Sequence, residues 1–151
     1  PMYSNWLSNT LIVLVTGATV ALALLVHYEG LAWMSSRLGQ LHGLRRRKVL
    51  FGVCGIILLH VSEIWVFGVA SWLLLGVPDA GTISGATEPH FLDVIYLSAM
   101  TFSTVGFGDL APVGPIRFLS GTEALTGFIL ISWSASFLYL EMEQFWRRRS
   151  T

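Results

Sequence analysis

Long apolar stretches dominate the chain, and their lengths predict three membrane-spanning helices. Crossing a hydrocarbon core takes about 20 mostly apolar residues. The stretches that meet this requirement are residues 6–28, 49–77 and 116–140. Ionisable side chains well inside the second and third stretches are few, namely His60, Glu63 and Glu123.

A shorter apolar run, FLDVIYLSAMTFS, occupies residues 91–103 between the second and third stretches. It is too short to span a bilayer but long enough for a helix that enters one halfway. Thr87 or Glu88 can cap the start of this helix, with Pro89 in its first turn, where proline is tolerated. The pattern therefore predicts an all-α membrane protein with three transmembrane helices and one re-entrant helix that leads into a loop.

The far end of the first helix is open to two interpretations. Leu31, Met34, Leu38 and Leu41 recur with helical spacing on one face. Either the first helix simply continues beyond the membrane, or a separate short helix lies in the membrane interface.

Composition supports the membrane assignment and excludes several functions. Hydrophobic residues make up 54% of the chain and charged residues 12%, whereas a soluble domain has about 25% charged residues. The net charge of zero argues against nucleic acid as a partner. Because no metal-ligand spacing, phosphate-binding loop or nucleophile motif is evident, we do not expect an enzyme.

The basic residues predict how the chain crosses the membrane. Eight of the nine Lys and Arg residues fall on one side of a three-span chain: Arg37, Arg45, Arg46, Arg47, Lys48, Arg147, Arg148 and Arg149. An excess of basic residues marks the cytoplasmic side, so the N-terminus and the loop after residue 103 are expected outside. The same basic clusters are expected to attract anionic membrane lipids.

The loop sequence TVGFGD, residues 104–109, is suited to binding a cation through its backbone. Irregular backbone at membrane depth is tolerated only where it is buried in protein or lines a water-filled path. Gly106 and Gly108 can adopt the backbone angles that turn successive carbonyl oxygens toward one axis. Rings of such carbonyls can replace the hydration shell of K⁺, and the negative end of the preceding helix favours a cation. An ordinary outside turn is the alternative.

These residues resemble the potassium-channel family. Thr101 and Ser103 precede TVGFGD as polar residues at the end of a pore helix, and the run EALTGFILISWSASFLY (residues 123–139) is similar to the inner helix of small prokaryotic channels with a two-helix pore domain. The resemblance implies a homotetrameric pore with K⁺ as the permeant ion and no cofactor. It implies that four residues form the K⁺ sites of the filter: Thr104, Val105, Gly106 and Phe107. It implies filter support from Ser103, Gly108 and Asp109.

The resemblance also implies a domain organisation and a cellular location. Residues 1–48 become an N-terminal transmembrane helix with a basic connector, residues 49–143 the pore domain, and residues 144–151 a short basic cytoplasmic tail. The expected location is a prokaryotic inner membrane, with the C-terminus in the cytoplasm. Phe107 replaces the tyrosine that is commoner in the family, and so it lacks a hydroxyl that often ties the filter to the pore helix.

Two residues of the third stretch are candidates for supporting and gating the pore. Glu123 is level with the loop and is expected to hydrogen-bond the back of the filter or the pore helix, which would add it to the filter support. Pairing with Arg117, or a protonated acid among polar groups, is the alternative. In the family a glycine at the place of Gly127 lets the inner helix bend as a gate hinge, whereas close helix packing is the other role for a small residue.

His60 and Glu63 lie three residues apart and therefore share a helix face. They are a possible pH-sensitive pair, because histidine titrates near physiological pH. The alternative is an internal pair that packs the second helix against the first and reaches His27. A proton-coupled transporter built on these residues and Glu123 is a rival function, as is a non-conducting partner subunit of another channel.

Overall fold

The computed structural model describes residues 5–40 and 45–147. Three helices are long and apolar enough to cross a membrane: α1 (Trp6–Gln40), α2 (Arg45–Leu75) and α4 (Arg117–Arg147). A shorter helix, α3 (Phe91–Phe102), lies between α2 and α4 along the chain, flanked by the strands β1 (Thr82–Ser84) and β2 (Ala111–Val113). The predicted all-α membrane fold is thus confirmed.

The first helix is a single continuous helix of 35 residues. Its buried positions recur every three or four residues along its whole length: Ser8, Ile12, Thr16, Thr19, Ala23, His27, Leu31, Met34 and Leu38. This spacing places them on one face, so α1 contacts the rest of the chain through one stripe. Of the two interpretations drawn from the sequence, continuation of the first helix is correct, although Leu41 lies outside the described residues.

Hydrogen bonds attach α1 near both of its ends. At its start, the Asn5 amide donates to Asp79 (3.2 Å) and the Ser8 hydroxyl donates to the carbonyl of Pro78 (2.9 Å). Near its other end, Ser35 donates to a carboxylate oxygen of Glu141 on α4 (2.9 Å). The helix therefore contacts the connection after α2 at one end and the last part of α4 at the other.

The start of α3 differs from the prediction. The helix begins at Phe91, and its N-cap is His90 rather than Thr87 or Glu88. The backbone N–H of His90 donates to the carboxylate of Asp93 (2.8 Å), which satisfies a donor at the helix start. Asp93 is the third residue of the helix, and its bond to the His90 N–H fixes His90 as the N-cap. Pro89 therefore precedes the helix instead of occupying its first turn.

A short antiparallel pairing joins the segments on either side of α3 and its loop. Thr82 pairs with Val113, Ile83 with Pro112 and Ser84 with Ala111. The backbone N–H of Ile116 also donates to the carbonyl of Ala80 (2.8 Å). Each strand has only three residues, too few for an alternation of apolar and polar residues to predict the strands from the sequence.

The larger buried core contains residues of all four helices, and its bulkiest side chains lie where α2, α3 and α4 meet. Phe67 of α2, Phe102 of α3, and Leu119 and Leu130 of α4 are almost completely buried there. The last residue of α3 is therefore fixed by packing on both sides. A loop that follows it starts from a rigid position.

Candidate functional site

The loop after α3 has an alternating backbone. Thr104, Gly106 and Gly108 have φ angles of 59°, 52° and 79°, whereas Val105 and Phe107 between them are not among the residues with positive φ. A positive φ is ordinary for glycine but rare for a β-branched residue such as threonine. A Cβ atom at Gly106 or Gly108 would meet nothing within 4 Å, so backbone conformation, and not space, requires glycine at these two positions.

Hydrogen bonds hold the start of the loop to the last turn of α3. Thr104 N–H donates to the carbonyl of Thr101 (3.0 Å), and Gly106 N–H donates to that of Met100 (3.2 Å). The hydroxyl of Ser103 donates to the carbonyl of Ala99 (2.7 Å). The two backbone bonds use carbonyls that a helix end leaves without intrahelical partners, so the loop continues directly from the negative end of α3.

Asp109 is attached to α3 through a tyrosine. The Tyr96 hydroxyl donates to Asp109 Oδ2 at 2.9 Å, joining the far end of the loop to the middle of the helix. Phe107 has no hydroxyl, and its side chain is 71% exposed in the single chain. A hydroxyl therefore still ties the loop to α3, but it belongs to Tyr96 on the helix and not to residue 107 in the loop.

Glu123 faces α3, as one of the two interpretations of this residue expected. Its side chain is almost completely buried, and Oε1 contacts the hydroxyl of Ser98 on α3. Ser98 Oγ also lies 2.9 Å from the carbonyl oxygen of Ile64 on α2. Ser98 has one hydroxyl proton, so both contacts are hydrogen bonds only if Glu123 carries a proton and donates it. Arg117, the alternative partner, is exposed.

Gly127 lies against the backbone of α3. A Cβ atom at this position would overlap the carbonyl oxygen of Phe102 and come within 2.8 Å of its carbonyl carbon. Glycine therefore lets α4 approach the end of α3 closely, which is the packing role considered from the sequence. The described part of α4 is one continuous helix through this position, and the gate hinge stays a prediction.

His60 and Glu63 form a three-residue cluster with His27. His27 Nδ1 lies 2.7 Å from one carboxylate oxygen of Glu63, and His60 Nδ1 lies 2.8 Å from the other. His27 and Glu63 are fully buried, and the His60 side chain is 16% exposed. The contact between α1 and α2 considered from the sequence is therefore present, while pH sensitivity of the pair stays a prediction.

The sequence analysis did not predict two neighbours that the structure shows, one beside Glu123 and one beside His27. Ser98 contacts Glu123, and the ring of Trp133 on α4 lies 5.1 Å from that of His27. A buried acid requires a polar neighbour, and Ser98 is one of the few polar residues in the run 91–103. No comparable signal in the sequence pointed to Trp133, because a tryptophan in a membrane helix has many ordinary roles.

Fold and loop together define an integral membrane protein with a re-entrant helix-and-loop element. A family model described as "Ion channel" matches residues 56–144, more than half of the chain. The protein therefore belongs to this ion-channel family. The matched region includes most of α2, all of α3 and its loop, and most of α4.

Three curated proteins are similar to parts of this chain. Protein LctB of Geobacillus stearothermophilus is 34% identical over 76 residues, covering 50% of this chain and 57% of that protein. Protein LctB of Bacillus caldotenax is 47% identical over 38 residues, covering 25% and 28% of the two chains. The inward rectifier potassium channel Kirbac3.1 of Paramagnetospirillum magnetotacticum is 36% identical over 58 residues, covering 38% of this chain and 20% of that channel.

The chain thus spans little more than half the length of LctB from Geobacillus stearothermophilus and less of the other two relatives. No solved structure matches it. The resemblance to the family of small prokaryotic potassium channels is confirmed by the family model and the similarity to Kirbac3.1. Ion selectivity, the filter residues and the number of subunits stay predictions.

Proposed function

We propose that this ion channel conducts K⁺ passively and selectively through a homotetrameric pore. In this proposal the carbonyls of residues 104–107 bind the ion, and α2, α3 and α4 of each subunit form the pore. The similarity to a potassium channel over 58 residues supports the choice of ion. The alternating backbone of the loop is the observation that carries the proposal.

Backbone alternation favours a carbonyl-lined path. In an ordinary extended strand, successive carbonyls point to opposite sides. Positive φ at every second residue, as at Thr104, Gly106 and Gly108, is a conformation that can turn neighbouring carbonyls to the same side. A row of oxygens on one side is what a dehydrated K⁺ needs from each strand of a filter.

Exposure of the loop supports assembly around an axis. Residues 104–109 are all exposed in the single chain, among them Val105 at 54%. Irregular backbone cannot face lipid, so at membrane depth this loop must be covered by protein or line water. One strand provides one side of an ion site, and the family resemblance implies four strands. A homotetramer would cover the loop and complete the site.

Electrostatics of the surroundings also favour a cation. The loop starts at the C-terminal end of α3, which carries the partial negative charge of a helix dipole. Asp109 follows the two glycines and adds a carboxylate close to the far end of the loop, held by Tyr96. Both features lower the energy of a cation in this part of the protein.

The proposal includes the orientation of the chain in the membrane. The basic residues between α1 and α2 and after α4 would lie in the cytoplasm, in contact with anionic lipids of a prokaryotic inner membrane. The loop would then open to the outside. A cysteine-accessibility experiment on an exposed loop residue, with an impermeant reagent applied to right-side-out vesicles, tests this orientation.

Flux through purified protein in liposomes tests ion conduction. We expect fast K⁺ flux, much slower Na⁺ flux and block by Ba²⁺. Gly106→Ala should abolish selective K⁺ flux, because alanine tolerates positive φ poorly. Gly17→Ala is the matched control: Gly17 lies on α1, and a Cβ atom there meets nothing within 4 Å. Equal K⁺ and Na⁺ flux in the wild type, or normal flux in Gly106→Ala, would contradict the proposal.

Native mass spectrometry of the detergent-solubilised protein tests the subunit number. A tetramer is expected, and a monomer or dimer would contradict the pore geometry. Slow, saturable flux coupled to protons would instead favour the transporter. An absence of flux from a stable homotetramer would favour the non-conducting partner subunit.

A further inference from the structure

A second cluster of ligating groups lies away from the loop, between α1 and α2. His27 of α1 and His60 and Glu63 of α2 each offer a ligand atom, and these atoms lie within 4.8 Å of one another. Each of the two imidazole Nδ1 atoms contacts a different oxygen of the Glu63 carboxylate. Two helices thus present three convergent donors at one point inside the protein.

Charge at this cluster requires compensation. Glu63 is fully buried, and its only ion-pair partners in the described part of the chain are the two histidines. A buried carboxylate is stable only when it is paired or coordinates a metal ion. A proton on Glu63 itself, a histidine proton or a bound cation can remove this cost.

One nitrogen of the cluster is left without a partner. His27 Nε2 is buried and has no hydrogen-bond partner among the described residues. A buried polar atom of this kind costs free energy and is often the mark of a site with a further role. It shows that the polar groups of this cluster are incompletely satisfied; the ion itself would bind through the two Nδ1 atoms, which face Glu63.

The donor set selects the class of metal. Two imidazoles and one carboxylate form a recurrent zinc ligand set, in which a fourth position stays open for water. Imidazole nitrogen is a poor ligand for K⁺, Mg²⁺ or Ca²⁺, which prefer oxygen. This cluster is therefore chemically distinct from the carbonyls of the loop.

Only a small expansion separates the present geometry from coordination. Ligand atoms bound at about 2.1 Å around a tetrahedral ion lie about 3.4 Å from one another. The two N–O distances are now 2.7 and 2.8 Å, so the rings need to move outward by less than about 1 Å. The side chain of His60 is partly exposed, so its ring has room for this movement.

We propose that His27, His60 and Glu63 form a binding site for Zn²⁺ that joins α1 to the pore domain. The site lies next to residues of the other two helices. Trp133 of α4 contacts the ring of His27, and Phe102 at the end of α3 contacts the ring of His60 at 5.7 Å between centroids. A bound ion would therefore fix α1 against α2 at a point where both helices contact the neighbouring helices.

Zinc binding can be measured on the full chain without any ion flux. The untagged protein is purified in detergent, stripped with chelator, and titrated with ZnCl₂ while bound metal and thermal unfolding are followed. We expect about one Zn²⁺ per chain and a higher unfolding temperature with the ion. Co²⁺ in place of Zn²⁺ should give the visible absorption of a tetrahedral nitrogen–oxygen site.

Three substitutions test the ligands, and one serves as a matched control. His27→Gln, His60→Gln and Glu63→Gln should each weaken zinc binding at least about tenfold and remove the thermal shift. His90→Gln replaces an exposed histidine at the start of α3 and should change neither. If His27→Gln does not fold, His60→Gln decides, because its side chain is less buried.

Two outcomes would overturn the proposal. One is a wild-type protein that retains no Zn²⁺ above the background set by a channel-free detergent sample. The other is zinc binding that survives in Glu63→Gln and His60→Gln, which would place the ion on surface groups. Because neither measurement depends on conduction, a protein that fails to conduct K⁺ would leave this test valid.

Discussion

Gly127 packs so closely on the carbonyl group of Phe102 that no Cβ atom fits between them, and α4 thus approaches the backbone of α3 at its last residue. Any change in this contact is expected to be transmitted to residues 103–109, because Phe102 is buried and cannot relax into free space.

Gly127→Ala should therefore disturb both stability and conduction. The added methyl overlaps a backbone atom, and overpacking of this kind costs about 1–3 kcal/mol. We expect a lower unfolding temperature and reduced K⁺ over Na⁺ selectivity in liposome flux. Gly121→Ala on the same helix is the control, since its Cβ meets nothing within 4 Å. A change in open probability with unaltered selectivity and stability would instead favour the gate hinge.

Glu123 is expected to act through its hydrogen bond to Ser98 and not through its charge. Glu123→Gln keeps the shape and can donate an amide proton to Ser98, so flux and unfolding temperature should stay close to those of the wild type. Glu123→Ala leaves Ser98 without this partner and should cost about 1–3 kcal/mol. Thermal unfolding of both variants in one detergent provides the comparison. Equal losses in the two variants would show that the carboxylate charge is needed.

Tyr96→Phe removes the only hydroxyl that joins the middle of α3 to Asp109 among the contacts of the described residues. Without this bond Asp109 is free to move away from α3, and we expect K⁺ current in bilayers to decline faster after opening. Tyr139→Phe, at an exposed position of α4, is the matched control. A current that decays at the wild-type rate in Tyr96→Phe would show that Asp109 is held in another way.

Ser35→Ala tests whether α1 influences the far end of the inner helix. Its hydroxyl donates to Glu141 of α4, whereas the neighbouring Ser36 donates within its own helix to the carbonyl of Trp33. An exposed bond of this kind contributes about 1 kcal/mol, enough to change a two-state gate several-fold. Single-channel recording should show altered open probability in Ser35→Ala and not in Ser36→Ala. Identical gating in both variants would exclude this contact from gating.

Much of the fold could be predicted because membrane helices follow from length and polarity alone. The stretches 49–77 and 116–140 correspond to α2 and α4, and the run 91–103 to α3. The cap of α3 was misplaced because Thr87, Glu88 and Pro89 form a favourable local pattern that the contact between His90 and Asp93 overrides. Local preference is weaker than a hydrogen bond that the final backbone makes possible.

Contacts between distant residues were harder to predict. Glu123 and Gly127 attracted attention as a buried acid and a small residue, yet each had two possible roles. Only the crossing of α3 and α4 shows that Ser98 and the carbonyl of Phe102 are their neighbours. Helix rotation and crossing angle decide such pairs, and neither is contained in the polarity pattern of one helix.

The length of α1 makes bilayer thickness a variable for this protein. Its apolar stretch, residues 6–28, extends about 35 Å, slightly more than a hydrocarbon layer of about 30 Å, and such a mismatch is relieved by tilting. Because Ser8 holds one end and Ser35 the other, a change of tilt pulls on Pro78 and Glu141 together. We therefore expect lipids with longer or shorter acyl chains to change the mechanical load on α4.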